Sequence, residues 1–199
     1  MRLGILGEAS QTWLTLVKQA LAAGHQVTAL GEPALSALGA RGVVIVPGDV
    51  TVAADVEKVV AEQDAILSLL AAARSLPWDI VSAGTRHILD AMDRHHIRRL
   101  VCASAAGISM PQDRRSPFAA ALDSTIRLLL RSVYEDRAEQ ISLLQQSDVD
   151  WVAIRVSLLT DGPLTNNHQL GYPDLEADLS VSREDLVACL LAQVTDDTW

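Results

Sequence analysis

The chain has 199 residues, of which 49% are hydrophobic and 21% charged, a balance typical of one soluble globular domain. These proportions exclude a disordered chain, a coiled coil and a collagen-like fibre. With 25 acidic and 16 basic residues the formal charge is -9, which argues against nucleic acid as a partner because phosphate contacts need a basic face.

The apolar runs and the cysteines predict a cytoplasmic protein. The longest apolar run, from Ala65 to Ala73, is about half the length that spans a bilayer, so we expect no membrane association. Cys102 and Cys189 lie inside apolar runs without metal-ligand spacing, which predicts buried thiols in a reducing compartment.

Six short apolar runs predict strands that are buried on both faces of a parallel sheet. In chain order they are Leu3–Leu6, Gln26–Leu30, Val43–Val46, Ala65–Leu69, Leu100–Ala103 and Trp151–Ile154. The stretches between them predict helices over Thr12–Ala23, Ala53–Glu62, Asp79–His95, Ala119–Gln146 and Arg183–Val194. Gly24 is expected to end the first helix, and Ser182 to cap the last.

This alternation predicts an α/β fold of the doubly wound Rossmann type, with strand order 3-2-1-4-5-6 and helices on both faces. We expect one domain over residues 1–199. Two stretches rich in Gly, Pro, Asp and Asn interrupt the alternation after the ends of strands, where open α/β sheets bind their ligands. They predict substrate loops at residues 104–118 and 156–180.

Short motifs in a fixed order carry a family resemblance. They include Leu3-Gly4-Ile5-Leu6-Gly7, Gly48-Asp49-Val50, Gly84-Thr85-Arg86, Ser104-Ala105-Ala106-Gly107 and Ser182-Arg183-Glu184-Asp185-Leu186. The chain resembles the atypical short-chain dehydrogenase/reductases, and more narrowly the NAD(P)H-binding, NmrA-like branch that includes flavin and biliverdin-IXβ reductases. The resemblance implies cofactor contacts at Gly7, Ser10, Gln11, Thr12, Glu32, Asp49, Val50, Leu70 and Arg137.

The first turn departs from the G-x-x-G-x-x-G of that family, because only Gly7 is kept while Ser10 and Trp13 replace the other glycines. Glycine lets the backbone approach the pyrophosphate and lets the helix pack closely. Two interpretations follow. Either Ser10 offers its N–H and hydroxyl to a phosphate, or Trp13 and Glu8 fill the site. In the second case Ser10 is an N-cap, Glu8 offsets the helix dipole, and Trp13 is core or interface.

The end of the second strand bears on the choice of cofactor. Many relatives carry an arginine there for the 2′-phosphate of NADP, whereas this chain has Glu32. An acidic group would repel that phosphate and could bond a ribose diol, so NAD(H) is favoured over NADP(H). No cofactor is expected if the turn has closed. Glu32 as a solvated turn residue and Asp49 as a turn former are the alternatives to cofactor contacts.

The catalytic tyrosine-lysine pair of the wider superfamily is missing. The only lysines are Lys18 and Lys58, and the residue four positions after Tyr134 is Ala138. By the resemblance, Arg137 stands at the position where some atypical family members keep a lysine. An arginine there could anchor a ribose or phosphate but could not act as a general acid. Ser104 and Tyr134 are the remaining catalytic candidates; the alternatives are a serine that bonds local amides and a core tyrosine. We expect no metal site.

Two functions fit this pattern. The first is an oxidoreductase, a flavin or quinone reductase using NADH, since hydride transfer between stacked rings needs little acid catalysis from the protein. The second is a non-catalytic, NmrA-like regulatory or ligand-sensing protein that has lost dinucleotide binding. Either way the expected partner is a small molecule, and the sequence is compatible with a homodimer.

Overall fold

The computed structural model describes residues 1–31, 42–71, 79–105, 131–156, 158–165, 171, 180–196 and 198. The strands are β1 (Arg2–Gly7), β2 (Gln26–Leu30), β3 (Val43–Val46), β4 (Ala65–Leu69), β5 (Arg99–Ala105), β6 (Asp150–Val156), β7 (Leu158–Thr160) and β8 (Ser180–Ser182). The described helices are α1 (Gln11–Ala22), α2 (Ala53–Val60), α3 (Ile80–Arg94), α4 (Arg131–Gln146) and α5 (Arg183–Ala192).

The first six strands form one parallel sheet in the order β3-β2-β1-β4-β5-β6, which confirms the predicted fold class and strand order. A separate parallel pair, β7 with β8, was missed, because strands of three residues carry no periodicity to detect. This pair borders the predicted loop at 156–180, which otherwise lies mostly outside the described residues, as does the loop at 104–118.

Helix positions agree with the prediction, with small shifts at the ends. Helix α1 starts one residue earlier than expected, and its C-cap is Ala23, so that Gly24 is the following residue, with φ of 81°. Within the predicted helix Ala119–Gln146, the described part begins at Arg131. Ser182 caps α5 as predicted, since its Oγ accepts the Asp185 N–H at 3.0 Å.

Alternating side chains divide the core into two layers, one on each face of the sheet. On one face Leu6, Ile66 and Leu100 pack with residues of α2, α3 and α4. On the other face Leu3, Ile5 and Leu67 pack with residues of α1 and α5. The edge strands differ from the prediction of burial on both faces: β3 and β6 are only partly buried, and Val44 is 60% exposed.

Helix α5 is fixed at both ends by polar contacts. At its start, the buried Asp185 carboxylate accepts the backbone N–H and the hydroxyl of Thr165, at 2.9 and 2.8 Å. At its end, the Arg99 guanidinium donates to the Gln193 carbonyl oxygen through Nε at 2.9 Å and Nη2 at 2.6 Å. A cation at a helix C-terminus also interacts favourably with the helix dipole. None of the described helices is long and apolar enough to cross a membrane.

Both thiols are free and buried, as predicted. Burial raises the pKa of the Cys102 thiol to about 12 and that of Cys189 to about 11. Since thiolate is the reactive form, we predict that neither thiol reacts with Ellman's reagent at pH 8 while the protein is folded. In urea both should react within minutes, and rapid labelling of the folded protein would contradict this packing.

Candidate active site

The turn after β1 lies at the point where the sheet reverses its strand order, since β1 pairs with both β2 and β4. Ligands of open α/β sheets bind in the crevice at such a point. Gly7 has φ of 155°, and a Cβ at this position would lie 2.9 Å from Leu69 Cβ and 3.0 Å from the Leu69 carbonyl carbon. The close approach of β1 to β4 therefore requires glycine here.

Helix α1 begins over this crevice with two unpaired backbone donors. Ser10 is the N-cap, and its Oγ accepts the Trp13 N–H at 3.3 Å. Within the described structure the N–H groups of Gln11 and Thr12 have no acceptor, as expected for the first turn of a helix. Amides at the positive end of a helix dipole suit an anionic oxygen, so this end of α1 fits a phosphate.

The structure revises the predicted role of Ser10. Its N–H donates to the Glu8 carbonyl oxygen at 2.6 Å and is not available to a phosphate. Its hydroxyl accepts one bond and keeps its own proton, so it can still donate. The Glu8 side chain is exposed, where water and salt screen its charge.

Trp13 is part of the core, as the second interpretation of this turn predicted, but it does not fill the site. Its side chain is completely buried and packs in the layer that contains Leu3, Ile5 and Leu186. A side chain in this layer lies between α1 and the sheet, whereas the first-turn amides project from the end of the helix. The indole therefore does not cover the Gln11 and Thr12 amides. Its Nε1 has no hydrogen-bond partner among the described residues.

Two of the predicted cofactor contacts, Val50 and Leu70, converge on α3. A Cβ at Gly84 would lie 2.7 Å from Leu70 Cδ1 and 2.8 Å from Val50 Cγ2, so glycine allows both side chains to pack on the helix. The neighbouring Asp49 carboxylate accepts the Thr51 N–H and hydroxyl, each at 2.8 Å. These bonds give Asp49 the turn-forming role, while its contact with adenine stays a prediction. Glu32 lies outside the described residues.

A buried polar cluster lies at the carboxyl end of β5, where Ser104 and Arg137 meet. The Ser104 hydroxyl donates to Gln140 Oε1 at 3.3 Å, and Arg137 Nη1 donates to the same oxygen at 3.4 Å. Gln140 Nε2 donates to Thr85 Oγ1 at 3.4 Å, and Arg137 Nη1 also lies 3.4 Å from the Ala103 carbonyl oxygen. One glutamine thus joins β5, α3 and α4.

The neighbouring residue on α4, Asp136, caps a different helix. Its buried carboxylate accepts the Val81 N–H at 3.1 Å and the Ser82 N–H at 2.8 Å, at the start of α3. The N-cap of α3, Asp79, makes no capping bond with its own side chain. Because Asp136 supplies these acceptors, the position of α4 is tied to the first turn of α3.

Sequence reasoning found Ser104, Tyr134 and Arg137 but missed Thr85, Asp136 and Gln140. Tyr134 lies on α4 one turn before Arg137 and packs, half-buried, against the apolar layer. A signal for the buried cluster was present in the sequence: Arg137 and Gln140 fall within the apolar stripe that Tyr134, Ile141 and Leu144 mark on α4. Polar residues inside such a stripe indicate a buried polar contact.

The sheet order, the glycine turn and the open first turn of α1 define a Rossmann-type nucleotide-binding protein. A family model described as NAD(P)H-binding matches residues 10–197, and the chain belongs to this family. The family assignment supports a nicotinamide dinucleotide as cofactor.

Solved structures share the fold over nearly the whole chain. A short-chain dehydrogenase/reductase from Veillonella parvula DSM 2008, in complex with NADP, is 20% identical, with a TM-score of 0.79 over 99% of this chain and 89% of that one. The anaerobillin reductase ChuY from Escherichia coli O157:H7 is 16% identical, with a TM-score of 0.72 over 99% and 92%. The oxidoreductase ylbE from Lactococcus lactis is 17% identical, with a TM-score of 0.74 over 98% and 84%.

Replacing Gln140 by leucine tests the buried cluster. The change leaves the Ser104 and Thr85 hydroxyls and the Arg137 guanidinium without this partner, so we predict a loss of about 1–3 kcal/mol in the free energy of unfolding. Urea titration followed by circular dichroism measures it. Gln145→Leu, at an exposed position of the same helix, should change stability by less than about 0.5 kcal/mol. Equal effects of the two changes would show that the cluster contributes nothing.

Replacing Trp13 by glycine tests whether the tryptophan closes the turn or supports the core. Because the indole is fully buried, we predict a loss of about 3–5 kcal/mol or more in the free energy of unfolding and no gain in nucleotide affinity. Trp13→Phe, which keeps a ring in the layer, should lose less. A folded glycine variant that binds nucleotide more tightly than the natural protein would reverse the assignment.

Proposed function

We propose that the protein is an NADH-dependent reductase whose electron acceptor is a flavin, a quinone or a similar conjugated ring system. The observation that carries the proposal is the pair of unpaired amides, Gln11 and Thr12, at the start of α1 beside Gly7. Those donors, and the free proton of the Ser10 hydroxyl, suit a pyrophosphate. The family assignment supports the same class of cofactor.

The residues at hand divide the cofactor site into three parts. The first turn of α1 would hold the pyrophosphate, the turn at Asp49 and Val50 would border the adenine, and the carboxyl end of β5 would face the nicotinamide. When bound, the cofactor supplies a hydride. The Ser104 hydroxyl gives its proton to Gln140 Oε1, so its oxygen would accept a hydrogen bond from an N–H or O–H group of the electron acceptor.

The class of electron acceptor is inferred from the lack of a general acid near β5 among the described residues. Reduction of a carbonyl to an alcohol needs a proton donor of tuned pKa. No lysine lies near β5, since Lys18 is in α1 and Lys58 in α2, and Arg137 holds its proton at any usable pH. A conjugated ring system takes the hydride with less help, because the charge it gains is delocalised and its oxygens exchange protons with water.

We also propose a preferred nucleotide and a cellular location. Glu32 follows β2 by two residues, and a carboxylate there favours NADH over NADPH because it repels a 2′-phosphate. The two free, buried thiols support a reducing cytoplasm as the place of action.

A non-catalytic ligand sensor is the second candidate. The Ser10 N–H donates to the Glu8 carbonyl oxygen and is not free for a phosphate, and Glu8 is an acidic residue three positions before the start of α1. Both features lower the expected affinity for a dinucleotide, and they favour a non-catalytic regulatory or ligand-sensing protein that has lost dinucleotide binding.

Calorimetric titration separates the candidates. We predict that the natural protein binds NADH more tightly than NADPH, and that Glu32→Arg reverses this order because it replaces a repulsive charge with a phosphate partner. Glu62→Arg makes the same change of charge next to Arg2, at the amino ends of the central strands β1 and β4, and should leave the order unchanged. Loss of NADH absorbance at 340 nm with flavin or quinone then tests turnover.

Calorimetry and the absorbance assay together separate the two candidate functions. Binding of NADH with acceptor-dependent oxidation supports the reductase. Binding of NADH without its oxidation by any flavin or quinone would contradict the proposed turnover. A folded protein that gives no heat with NADH, NADPH or ADP-ribose would contradict the reductase and support the regulatory protein that has lost dinucleotide binding.

A further inference from the structure

Arg137 is a buried cation with few hydrogen bonds. Its side chain is on α4, and the residue is 9% exposed. A guanidinium has five N–H donors, yet the two bonds it makes both come from Nη1 and both are 3.4 Å long. Among the described residues Nε and Nη2 have no acceptor.

No carboxylate of the described residues forms an ion pair with Arg137. The carboxylate of the adjacent Asp136 is buried and compensates the charge in part, but its two oxygens accept the first-turn amides of α3 and no hydrogen bond joins it to Arg137. Burial lowers the pKa of Arg137, with the charge of Asp136 opposing this effect in part. A buried guanidinium that has unused donors and no ion-pair contact reduces the stability of the folded protein, so such a residue indicates a place where a ligand accepts those hydrogen bonds.

The guanidinium lies at the acceptor end of the site. Arg137 and Ser104 bond the same oxygen of Gln140, so their polar groups are within a few ångströms of each other at the carboxyl end of β5. The α1 turn that suits the pyrophosphate follows β1, and β1 and β5 are separated by β4. Two strand spacings of about 4.8 Å put roughly 10 Å between the two positions.

We infer that Arg137 binds a carboxylate of the electron acceptor, and that the natural acceptor is therefore a conjugated molecule with an acidic side group. This inference rests on the proposed function, because it deepens the assignment of the same site. The planar guanidinium has two parallel donors free, Nε and one of Nη2, which match the two oxygens of a carboxylate. The ribose beside the nicotinamide is neutral and would leave the charge unpaired.

The probes are 2-naphthoate and 2-naphthamide, which differ in charge but hardly in shape. We expect the natural protein to bind naphthoate at least about tenfold more tightly than naphthamide by calorimetry, with and without saturating NADH. Arg137→Met should abolish this preference. Arg131→Met removes the same charge from an exposed position of the same helix and should keep it. Arg137→Lys keeps the positive charge but lacks the two parallel N–H donors, so it should show an intermediate preference.

A second measurement does not depend on ligand. If the donors of the guanidinium are unsatisfied in the natural protein, Arg137→Met should unfold at an equal or higher urea concentration than the natural protein. Should the methionine variant fail to fold, this expectation is wrong, and the intermediate affinity of Arg137→Lys then decides the binding claim. Equal affinity for the two probes in the natural protein, or an undiminished preference in Arg137→Met, would overturn the inference.

The two proposals fail separately. Binding of naphthoate that depends on Arg137, in a protein that binds no nicotinamide nucleotide, would contradict the proposed reductase and support the carboxylate site. Binding of NADH without any preference for naphthoate would overturn the carboxylate site and leave the reductase standing.

Discussion

The contact between Gly7 and Leu69 determines where a ligand can bind. Strand β1 pairs with β2 on one side and β4 on the other, and its last residue lies directly beside Leu69. A side chain at Gly7 would collide with the backbone of β4, so any other residue would force the strands apart. Because the strands stay paired up to this point, the chain must turn sharply into α1, and the first amides of that helix are left facing the crevice.

The end of the site at β5 depends on buried polar groups, whose burial costs free energy of folding. Asp136 caps α3 and Gln140 connects Ser104 to Thr85, so these bonds hold α3, α4 and β5 in fixed relation. Arg137 is the member of this cluster that makes no ion-pair contact with the described residues and keeps unused hydrogen-bond donors. Evolution rarely retains such a residue for stability alone, and its position beside Ser104 links the cost to ligand binding.

The fold was predictable from sequence because its signals are local and redundant. Each buried strand is a short apolar run, and the glycine, serine and proline residues between runs mark where elements end. The β7–β8 pair escaped detection for the opposite reason, as a three-residue strand has no period. The exposure of β3 and β6 depends on strand order, which a single run such as Val43–Val46 does not encode.

The site was predictable only in part. Gly7, Ser104 and Arg137 were found because they occupy motif positions, and they do lie at the carboxyl ends of strands or against them. Trp13 had two interpretations, and only its complete burial decides for the core. The bond from the Ser10 N–H to Glu8 depends on the detailed geometry of one turn. The bonds of Asp136 and Gln140 join groups that are far apart in sequence. Such contacts follow from packing, which pattern reasoning does not supply.

The most direct test of the account is an amide NMR titration of the isotope-labelled protein with NADH. The account predicts that the Gln11 and Thr12 N–H resonances move downfield together as the pyrophosphate accepts their hydrogen bonds, while the Ser10 resonance, already bonded to Glu8, moves little. Shifts confined to other parts of the chain, with Gln11 and Thr12 unmoved at saturation, would show that the dinucleotide does not bind at the α1 turn.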